Sequence, residues 1–330
     1  MNKMMKAAAA SCGALLIAFA AIGQAVAQGN RAAEDWPGKQ TIKIIVPFSA
    51  GSNADLMGRT VASYLAEGLK ATFVVENRVG AGGILGTRAL AKSPPDGYTL
   101  CVCSGGAITV PSVVEKGYDP LVELVPVSRV NTQPLVLIVN PNSSMKSVSD
   151  VIAMSKTKAG GLSYGSSGAG GLLYNAAEVF RSKTQAQLTH VPFRGGPEAM
   201  AALIAGQIDM MFAIMSDAIP HIAANSVRGI AVTTATRDPK LPDQPTMIEQ
   251  GVPGFDIALW NGLFVPQGTP QPIVDRLSAL MLKMPSDANA VKSVTGFGSV
   301  LSVTTPDQLR TAVREETALW EAGLKDVARK

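Results

Sequence analysis

The sequence predicts an α/β protein with mostly parallel strands, folded as two domains. Short apolar runs rich in β-branched residues, such as residues 41–46, alternate with helical segments, such as residues 55–70. This alternation is typical of parallel strands that are buried on both faces by crossover helices. The length of 330 residues suits two domains, because a domain usually holds about 100–200 residues.

The elements follow from apolar, β-branched runs and from amphipathic segments between glycine- or proline-containing turns. We predict strands at residues 41–46, 72–76, 99–103, 136–139, 162–164, 188–191, 208–212 and 228–233. We predict helices at residues 55–70, 84–92, 148–156, 176–183, 198–205, 273–284 and 306–327.

The composition excludes several classes of protein. Hydrophobic residues make up 47% of the chain and charged residues 16%, which excludes a largely disordered protein. The net charge of +4 gives no sign of a nucleic-acid binder, and 5% aromatic residues are too few for a base-stacking surface. Because two histidines cannot build a His-rich metal site, we expect neither a metal nor a cofactor.

Residues 1–27 are predicted to be a signal peptide. Lys3 and Lys6 precede the apolar run of residues 7–22, and Ala25-Val26-Ala27 forms an A-x-A cleavage site. The run is shorter than the roughly 20 residues that span a bilayer. We therefore expect cleavage after Ala27 and export of the mature chain. The alternative is an uncleaved N-terminal anchor.

The two domains are expected to be joined by more than one crossing of the chain, since no Ser/Pro-rich linker divides the sequence. The candidate crossings are the extended stretches at residues 125–137 and 226–231. A pair of such crossings would act as a hinge that closes about Val130–Asn131 and Val227–Arg228.

Cys101 and Cys103 lie two residues apart in a predicted strand, so both side chains point to one face of the sheet. Residues so placed are about 6.5 Å apart with parallel Cβ vectors, which is poor geometry for a disulfide. We expect two small buried core residues, with a disulfide as the alternative.

Four glycine- or serine-rich turns, each joining a strand to a helix, are the main functional signal. They lie at residues 47–55, 80–86, 165–171 and 193–198. Ser52 and Asp55 fit the S-x-x-D capping box, and Pro197 suits the start of a helix. A helix N-terminus offers unpaired N–H donors, and glycine lets a ligand approach them closely. The turns therefore predict a cradle for a carboxylate or phosphate, although any one of them could be only a tight connection.

The residue spacing of the second and third turns differs from the known nucleotide-binding and serine-hydrolase motifs. The second turn reads G-x-G-x-x-x-G and misses the dinucleotide fingerprint by one residue, and no P-loop occurs. The third turn nearly matches G-x-S-x-G, so a secreted serine hydrolase using Ser167 with His190 is the enzymatic alternative. His190 and His221 are each more consistent with a hydrogen-bonded structural histidine.

The order of short motifs along the chain resembles the Bug family, the periplasmic solute-binding receptors of tripartite tricarboxylate transporters. The matching motifs are Val46-Pro47-Phe48, Glu76-Asn77-Arg78, Pro95-Asp96-Gly97-Tyr98, Tyr164-Gly165-Ser166-Ser167-Gly168, His190-Val191-Pro192-Phe193-Arg194-Gly195, Gly206-Gln207-Ile208-Asp209, Leu241-Pro242-Asp243 and Trp260-Asn261-Gly262-Leu263-Phe264. They cover nearly all of the mature chain.

This resemblance implies a type II periplasmic-binding-protein fold, with two α/β lobes around a ligand cleft and two hinge crossings. Lobe 1 would hold residues 36–130 and 228–330, and lobe 2 residues 131–227. It further implies a monomeric, periplasmic, non-enzymatic protein. The protein would capture a small organic carboxylate and deliver it to integral-membrane permease subunits. Presentation of the ligand to a sensor kinase is the alternative.

The resemblance also assigns the ligand contacts, mostly to backbone amides and hydroxyls of the first and third turns. On the first lobe these are Phe48, Ser49, Ala50, Ser52 and Asn53, with Ser104, Gly105, Gly106 and Ala107 as the wall. On the second lobe they are Ser166, Ser167, Gly168 and Ala169, joined by Arg194, Gly195 and Asp217.

The chain departs from the family pattern after Met211-Phe212, where many members place an aspartate that can pair with a ligand ammonium. Here that position is Ala213, and Asp217 follows four residues later. A desolvated ammonium without an acidic partner is costly. The departure therefore favours a carboxylate ligand without an amine.

Overall fold

A mixed β-sheet of ten strands, counted over the described residues, runs through the protein. The computed structural model describes residues 35–80, 83–114, 119–166, 168, 171–193 and 195–324. The predicted signal peptide lies outside these residues. The strands are β1 Ile42–Val46, β2 Phe73–Asn77, β3 Thr99–Ser104, β4 Leu124–Val139, β5 Leu162–Ser166, β6 Leu188–Pro192, β7 Met210–Ile214, β8 Arg228–Val232, β9 Ala258–Pro266 and β10 Val300–Leu301.

Helices connect most of these strands. They are α1 Asn53–Leu69, α2 Ile84–Ala91, α3 Gly105–Val114, α4 Pro120–Glu123, α5 Val148–Thr157, α6 Leu172–Thr184, α7 Gly196–Ile204, α8 Met215–Ala223, α9 Gln271–Met281, α10 Ala288–Gly296 and α11 Pro306–Leu324. The predicted α/β alternation is confirmed. Helices α3, α4, α8 and α10 and strands β9 and β10 were not predicted, and only the end of β4 was.

The first half-sheet has the strand order β2-β1-β3-β9-β4, with β10 added beside β4. β1 runs parallel to β2 and β3, whereas β9 is antiparallel to both of its neighbours, β3 and β4. Helices α1 and α9 bury this half-sheet through apolar side chains such as Met57, Leu65 and Leu277, which are fully buried.

The second half-sheet is formed by the end of β4 with β7, β8, β5 and β6. β5 lies parallel to β6 and β7, and β4 is antiparallel to β7 and β8. Its core includes three mutually packed rings, Phe180, Phe212 and Phe255, with centroids 5.8–6.4 Å apart. Each half-sheet therefore has an apolar core of its own.

β4 joins the two half-sheets. Its residues from Leu124 to Pro134 pair with β9, and those from Leu135 onward pair with β7. The return of the chain lies directly beside this point, because Ile257 N–H donates to Thr233 O and Ala258 pairs with Pro134. Both crossings are thus adjacent in space.

The position of the return crossing corrects one expectation. The sequence predicts this crossing near Val227–Arg228, which would put β8 in the first lobe. Instead β8 pairs with β4 in the second half-sheet, and Met247 and Phe255 complete the second core. Apolar burial on β4 holds residues 228–257 there, and the chain returns only at β9.

Helix α11 contacts both cores. Leu309 packs near Phe264 of the first half-sheet, whereas Trp320, one turn beyond Glu316, is buried in the second core. Glu316 accepts hydrogen bonds from Trp260 on β9, from Trp320 Nε1 at 3.0 Å and from Thr109 Oγ1 on α3 at 3.1 Å. The predicted closing helix therefore clamps the two halves together.

Cys101 and Cys103 on β3 are buried as expected, but they form the disulfide that was expected only as the alternative. Their Cα atoms lie 5.7 Å apart. That separation is shorter than the spacing of an ideal extended strand and falls in the usual range for a disulfide. Both side chains are fully buried, with Ile108 and Phe264 in the same cluster.

Candidate ligand-binding cleft

The first predicted turn is held in place by Asp55. Ser52 caps α1 by accepting a hydrogen bond from Asp55 N–H at 3.3 Å, as the capping-box motif predicts. The Asp55 carboxylate is 2% exposed and accepts bonds from Gly51 N–H and Asn77 Nδ2, both at 2.9 Å. Burial alone would raise its pKa, but these bonds and Arg59 hold the pKa below its usual value.

This arrangement leaves the tip of the first turn free for a ligand. Ser49 and Ala50 are exposed where the chain enters the 17-residue helix α1. The start of a helix carries a partial positive charge and N–H groups without intrahelical partners. The tip is therefore suited to an anion.

Asn53, predicted as a ligand contact, has its side chain committed to a buried network. Its Oδ1 accepts from Asn261 Nδ2 at 2.6 Å and from Asn131 Nδ2 at 3.2 Å, and its Nδ2 donates to Ser299 Oγ at 3.2 Å. Asn131 also donates to Ser299 at 2.9 Å and accepts from Asn261 at 2.9 Å. We call these four residues the asparagine network; it ties α1 to β4, β9 and the segment before β10.

The predicted wall lies beside this turn. Ser104 Oγ accepts from Ala107 N–H at 3.4 Å where α3 begins. A Cβ at Gly83 would lie 2.6 Å from the Ala107 Cβ and 3.1 Å from the Phe48 ring, and a Cβ at Gly105 would lie 2.3 Å from the Trp260 ring. Glycine is needed at both positions for this close approach, which brings Phe48, Gly105 and Ala107 together.

The third turn is organised by Ser166, which is fully buried at the end of β5. Its Oγ lies 3.2 Å from both Gly168 O and Gly168 N, donating to the first and accepting from the second. It also shares a 2.7 Å hydrogen bond with His190 Nε2. The predicted contacts Ser167, Ala169 and Arg194 lie outside the described residues.

His190 packs among aromatic rings. The centroids of Tyr164 and Tyr174 are 5.0 and 4.7 Å from that of the imidazole. Burial lowers the pKa of His190, although the nearby charge of Glu178 opposes this. The Glu178 carboxylate itself accepts from Tyr164 Oη at 2.7 Å and forms an ion pair with Arg181 at 2.7 Å. We call Ser166, His190, Tyr164, Tyr174 and Glu178 the histidine cluster.

A cavity of about 660 Å³ lies beside these turns at the carboxyl end of β7. It is bordered by the first residues of α6 and by Gly196 and Pro197 of α7, whose N-cap is the predicted contact Gly195. Ala213 and Asp217 line the same cavity. Partial burial raises the pKa of Asp217, while Ser216 and His221 oppose the shift.

Comparison with known proteins identifies the family. The family model described as tripartite tricarboxylate transporter family receptor matches residues 57–328. The chain belongs to this receptor family. It is 32% identical to the protein BugT of Bordetella pertussis over 304 residues, which are 90% of this chain and 92% of BugT.

Solved structures agree with the family assignment. The receptor is similar to an adipate-bound protein of Rhodopseudomonas palustris, at 31% identity and a TM-score of 0.71, over 88% of this chain and 98% of that one. It is also similar to MatC of the same organism with bound malate, at 29% identity and a TM-score of 0.69, over 89% and 100%. Structural neighbours include periplasmic solute-binding proteins of the TctC and Bug types, which confirms the predicted fold class.

The structure groups the predicted contacts of the receptor into two sets. Phe48, Ser49, Ala50, Ser52 and Asn53 lie with Ser104, Gly105, Gly106 and Ala107 on the first half-sheet. Ser166, Gly168, Gly195 and Asp217 lie on the second half-sheet. In the part of the chain that is described, no helix is long and apolar enough to cross a membrane, and no cluster of three metal-binding side chains occurs.

Several residues that support the predicted contacts were not found from the sequence. Asn131, Asn261 and Ser299 support the first turn from three distant segments, and Trp260 packs on the wall. An asparagine inside an apolar strand, as at Asn131, is the one signal that could have pointed to them. Buried polar side chains need partners, and here the partners are largely each other, although Asn261 Oδ1 has none among the described residues.

Proposed function

We propose that the protein is a non-enzymatic, monomeric periplasmic receptor that captures a small organic carboxylate and delivers it to permease subunits of a tripartite tricarboxylate transporter. The observation that carries this proposal is the exposed tip at Ser49 and Ala50, placed at the start of α1 and braced from behind by Asp55. Membership of the receptor family and the malate and adipate bound by two similar proteins support it.

The geometry around His190 argues against the hydrolase alternative. A serine nucleophile needs a free hydroxyl and a histidine that a third group orients. His190, the base that Ser167 would need, already shares its Nε2 with the buried Ser166 Oγ at 2.7 Å, and the Glu178 carboxylate is engaged by Tyr164 and Arg181. Ser166 and His190 therefore stabilise the third turn and are not arranged for nucleophilic attack on a substrate.

The proposal is tested by comparing carboxylates with their neutral amides in a thermal-shift screen. A bound carboxylate present at about 100 times its Kd should stabilise the protein by roughly 2.7 kcal/mol, whereas the matched carboxamide should not. Hydrolysis of an activated ester should stay at the uncatalysed rate. Equal stabilisation by acid and amide, or ester turnover, would contradict the proposal.

A variant at the tip sharpens this test. Ser49→Asp places a negative charge at the exposed turn and should weaken carboxylate binding roughly tenfold or more, because like charges repel. Its melting temperature without ligand should change little, since the Ser49 side chain is exposed. Ser144→Asp, at an exposed loop position outside both sets of contacts, is the matched control. Unchanged affinity in Ser49→Asp would remove the first turn from the site.

A further inference from the structure

The cavity at the carboxyl end of β7 has a mostly apolar wall. Among the described residues, eleven of the thirteen lining positions are apolar or small: Leu172, Leu173, Gly196, Pro197, Met200, Ala201, Ile204, Met211, Ala213, Ile214 and Leu259. The remaining two are Asp217 and His221. Its volume of about 660 Å³ falls within the range usual for small-molecule sites, roughly 300–1,000 Å³.

The cavity adjoins the turns that would hold a carboxylate. Leu172 and Leu173 open helix α6, directly after the third turn, and Gly196 and Pro197 open helix α7, directly after the fourth. A ligand whose carboxylate lies at the third turn can therefore extend the rest of its body into the cavity. Apart from Asp217 and His221, the described side chains that it meets there are apolar.

A second carboxylate on the ligand would be poorly placed in this cavity. No lysine or arginine is among its described lining residues, and the one carboxylate present, Asp217, has the same charge as the ligand. A charge taken out of water without a partner is costly.

We infer that the receptor selects a carboxylate whose far end is apolar and uncharged, and that the cavity is the subsite for that end. The inference rests on the proposed function and adds the class of ligand: an aliphatic or aromatic monocarboxylic acid rather than a dicarboxylic one. Asp217 acts as the selective group, because it repels a second carboxylate while the apolar wall accepts a hydrocarbon chain.

Calorimetry with three six-carbon ligands tests this inference. Hexanoate, adipate and 6-aminohexanoate share one carboxylate and a straight chain, and they end in a methyl group, a carboxylate and an ammonium. Hexanoate should bind roughly tenfold or more tightly than adipate. In Asp217→Asn the ratio of the adipate Kd to the hexanoate Kd should fall by roughly fivefold. Adipate should bind more tightly there because its second carboxylate no longer faces the negative charge of Asp217.

A second pair of variants tests the wall itself. Ala201 is an exposed residue of α7 that lines the cavity, so Ala201→Glu adds a charge there at a position that tolerates it. Hexanoate affinity should fall by roughly tenfold. Ala153→Glu, at an exposed position within α5 that does not line the cavity, should leave it unchanged.

The outcomes separate the inference from the proposed function. Binding of adipate as tightly as hexanoate, with no effect of Asp217→Asn, would overturn the inference and leave carboxylate capture standing. Tightest binding of 6-aminohexanoate, abolished by Asp217→Asn, would also overturn it, because Asp217 would then pair with an amine. Failure of a wider set of mono-, di- and tricarboxylates to bind would overturn both.

Discussion

The first and third turns of the cleft are braced by two buried polar groups of different chemistry. Behind the first turn, the asparagine network consists of neutral amides and one hydroxyl, none of which titrates. Behind the third turn, the histidine cluster contains an imidazole, two phenols and a carboxylate. The asparagine network therefore holds no group that titrates, whereas the histidine cluster does.

The two groups also differ in the number of strands and helices that they connect. The asparagine network joins α1 to β4, β9 and the segment before β10, so it links the first turn to the strands that cross between the half-sheets. The histidine cluster stays within β5, β6 and α6 of the second half-sheet. A substitution in the asparagine network should therefore lower the stability of the whole molecule. A substitution in the histidine cluster should affect only the second half-sheet.

The largest effect is expected from Asn131→Ala. The change removes one hydrogen bond from each of Asn53, Asn261 and Ser299 and leaves a space in the network, and should lower the free energy of unfolding by about 2–4 kcal/mol. Urea titration measures this directly. Asn142→Ala, at an exposed loop position, should stay within about 0.5 kcal/mol of the wild type. A loss no larger in Asn131→Ala than in the control would show that the network does not brace the fold.

A smaller, pH-dependent effect is expected at the histidine cluster. Because burial lowers the pKa of His190 in the folded state, the unfolded chain binds the extra proton more readily as the pH falls below about 6.5. The neutral imidazole of His190 therefore stabilises the folded state at pH 7.5, and this contribution is lost as the pH falls. The neighbouring groups are Tyr164, Tyr174 and Glu178, the last paired with Arg181.

Melting curves between pH 7.5 and pH 5 check this prediction. Between pH 7.5 and pH 5, the Tm of His190→Gln should fall by roughly 1–3 °C less than the Tm of the wild type. His221→Gln, which removes the other histidine, controls for the loss of an imidazole elsewhere in the chain. A steeper pH dependence in His190→Gln than in the wild type would contradict the assignment of a neutral imidazole.

The smallest effect concerns the movement of the two turns toward each other. If both grip one ligand, the half-sheets should close about the adjacent crossings at Pro134–Leu135 and Ile257–Ala258. Small-angle scattering should show a slightly smaller radius of gyration with a verified carboxylate, with unchanged helical content by circular dichroism. An unchanged radius at saturation would indicate a cleft that is already closed when empty.

Local sequence patterns predicted most of the fold, but they did not predict the buried residues that hold the first turn in place. Apolar β-branched runs located most strands, and Ser52 with Asp55 located the start of α1. β9 was missed because it contains Asn261 and Gly262, and α8 because Pro220 lies inside it. Asn131 and Asn261 meet only through the pairing of β4 with β9, and no local pattern records a contact between residues so far apart in sequence.

The clamp made by α11 has a consequence for when the protein can finish folding. Leu309 belongs to one core and Trp320 to the other, and both lie in the helix that ends the described chain. Neither core is therefore complete until α11, which follows every strand of both half-sheets in the chain, has been synthesised. A nascent chain that ends before Pro306 lacks the contacts of Leu309 and Trp320 and has not reached its final form.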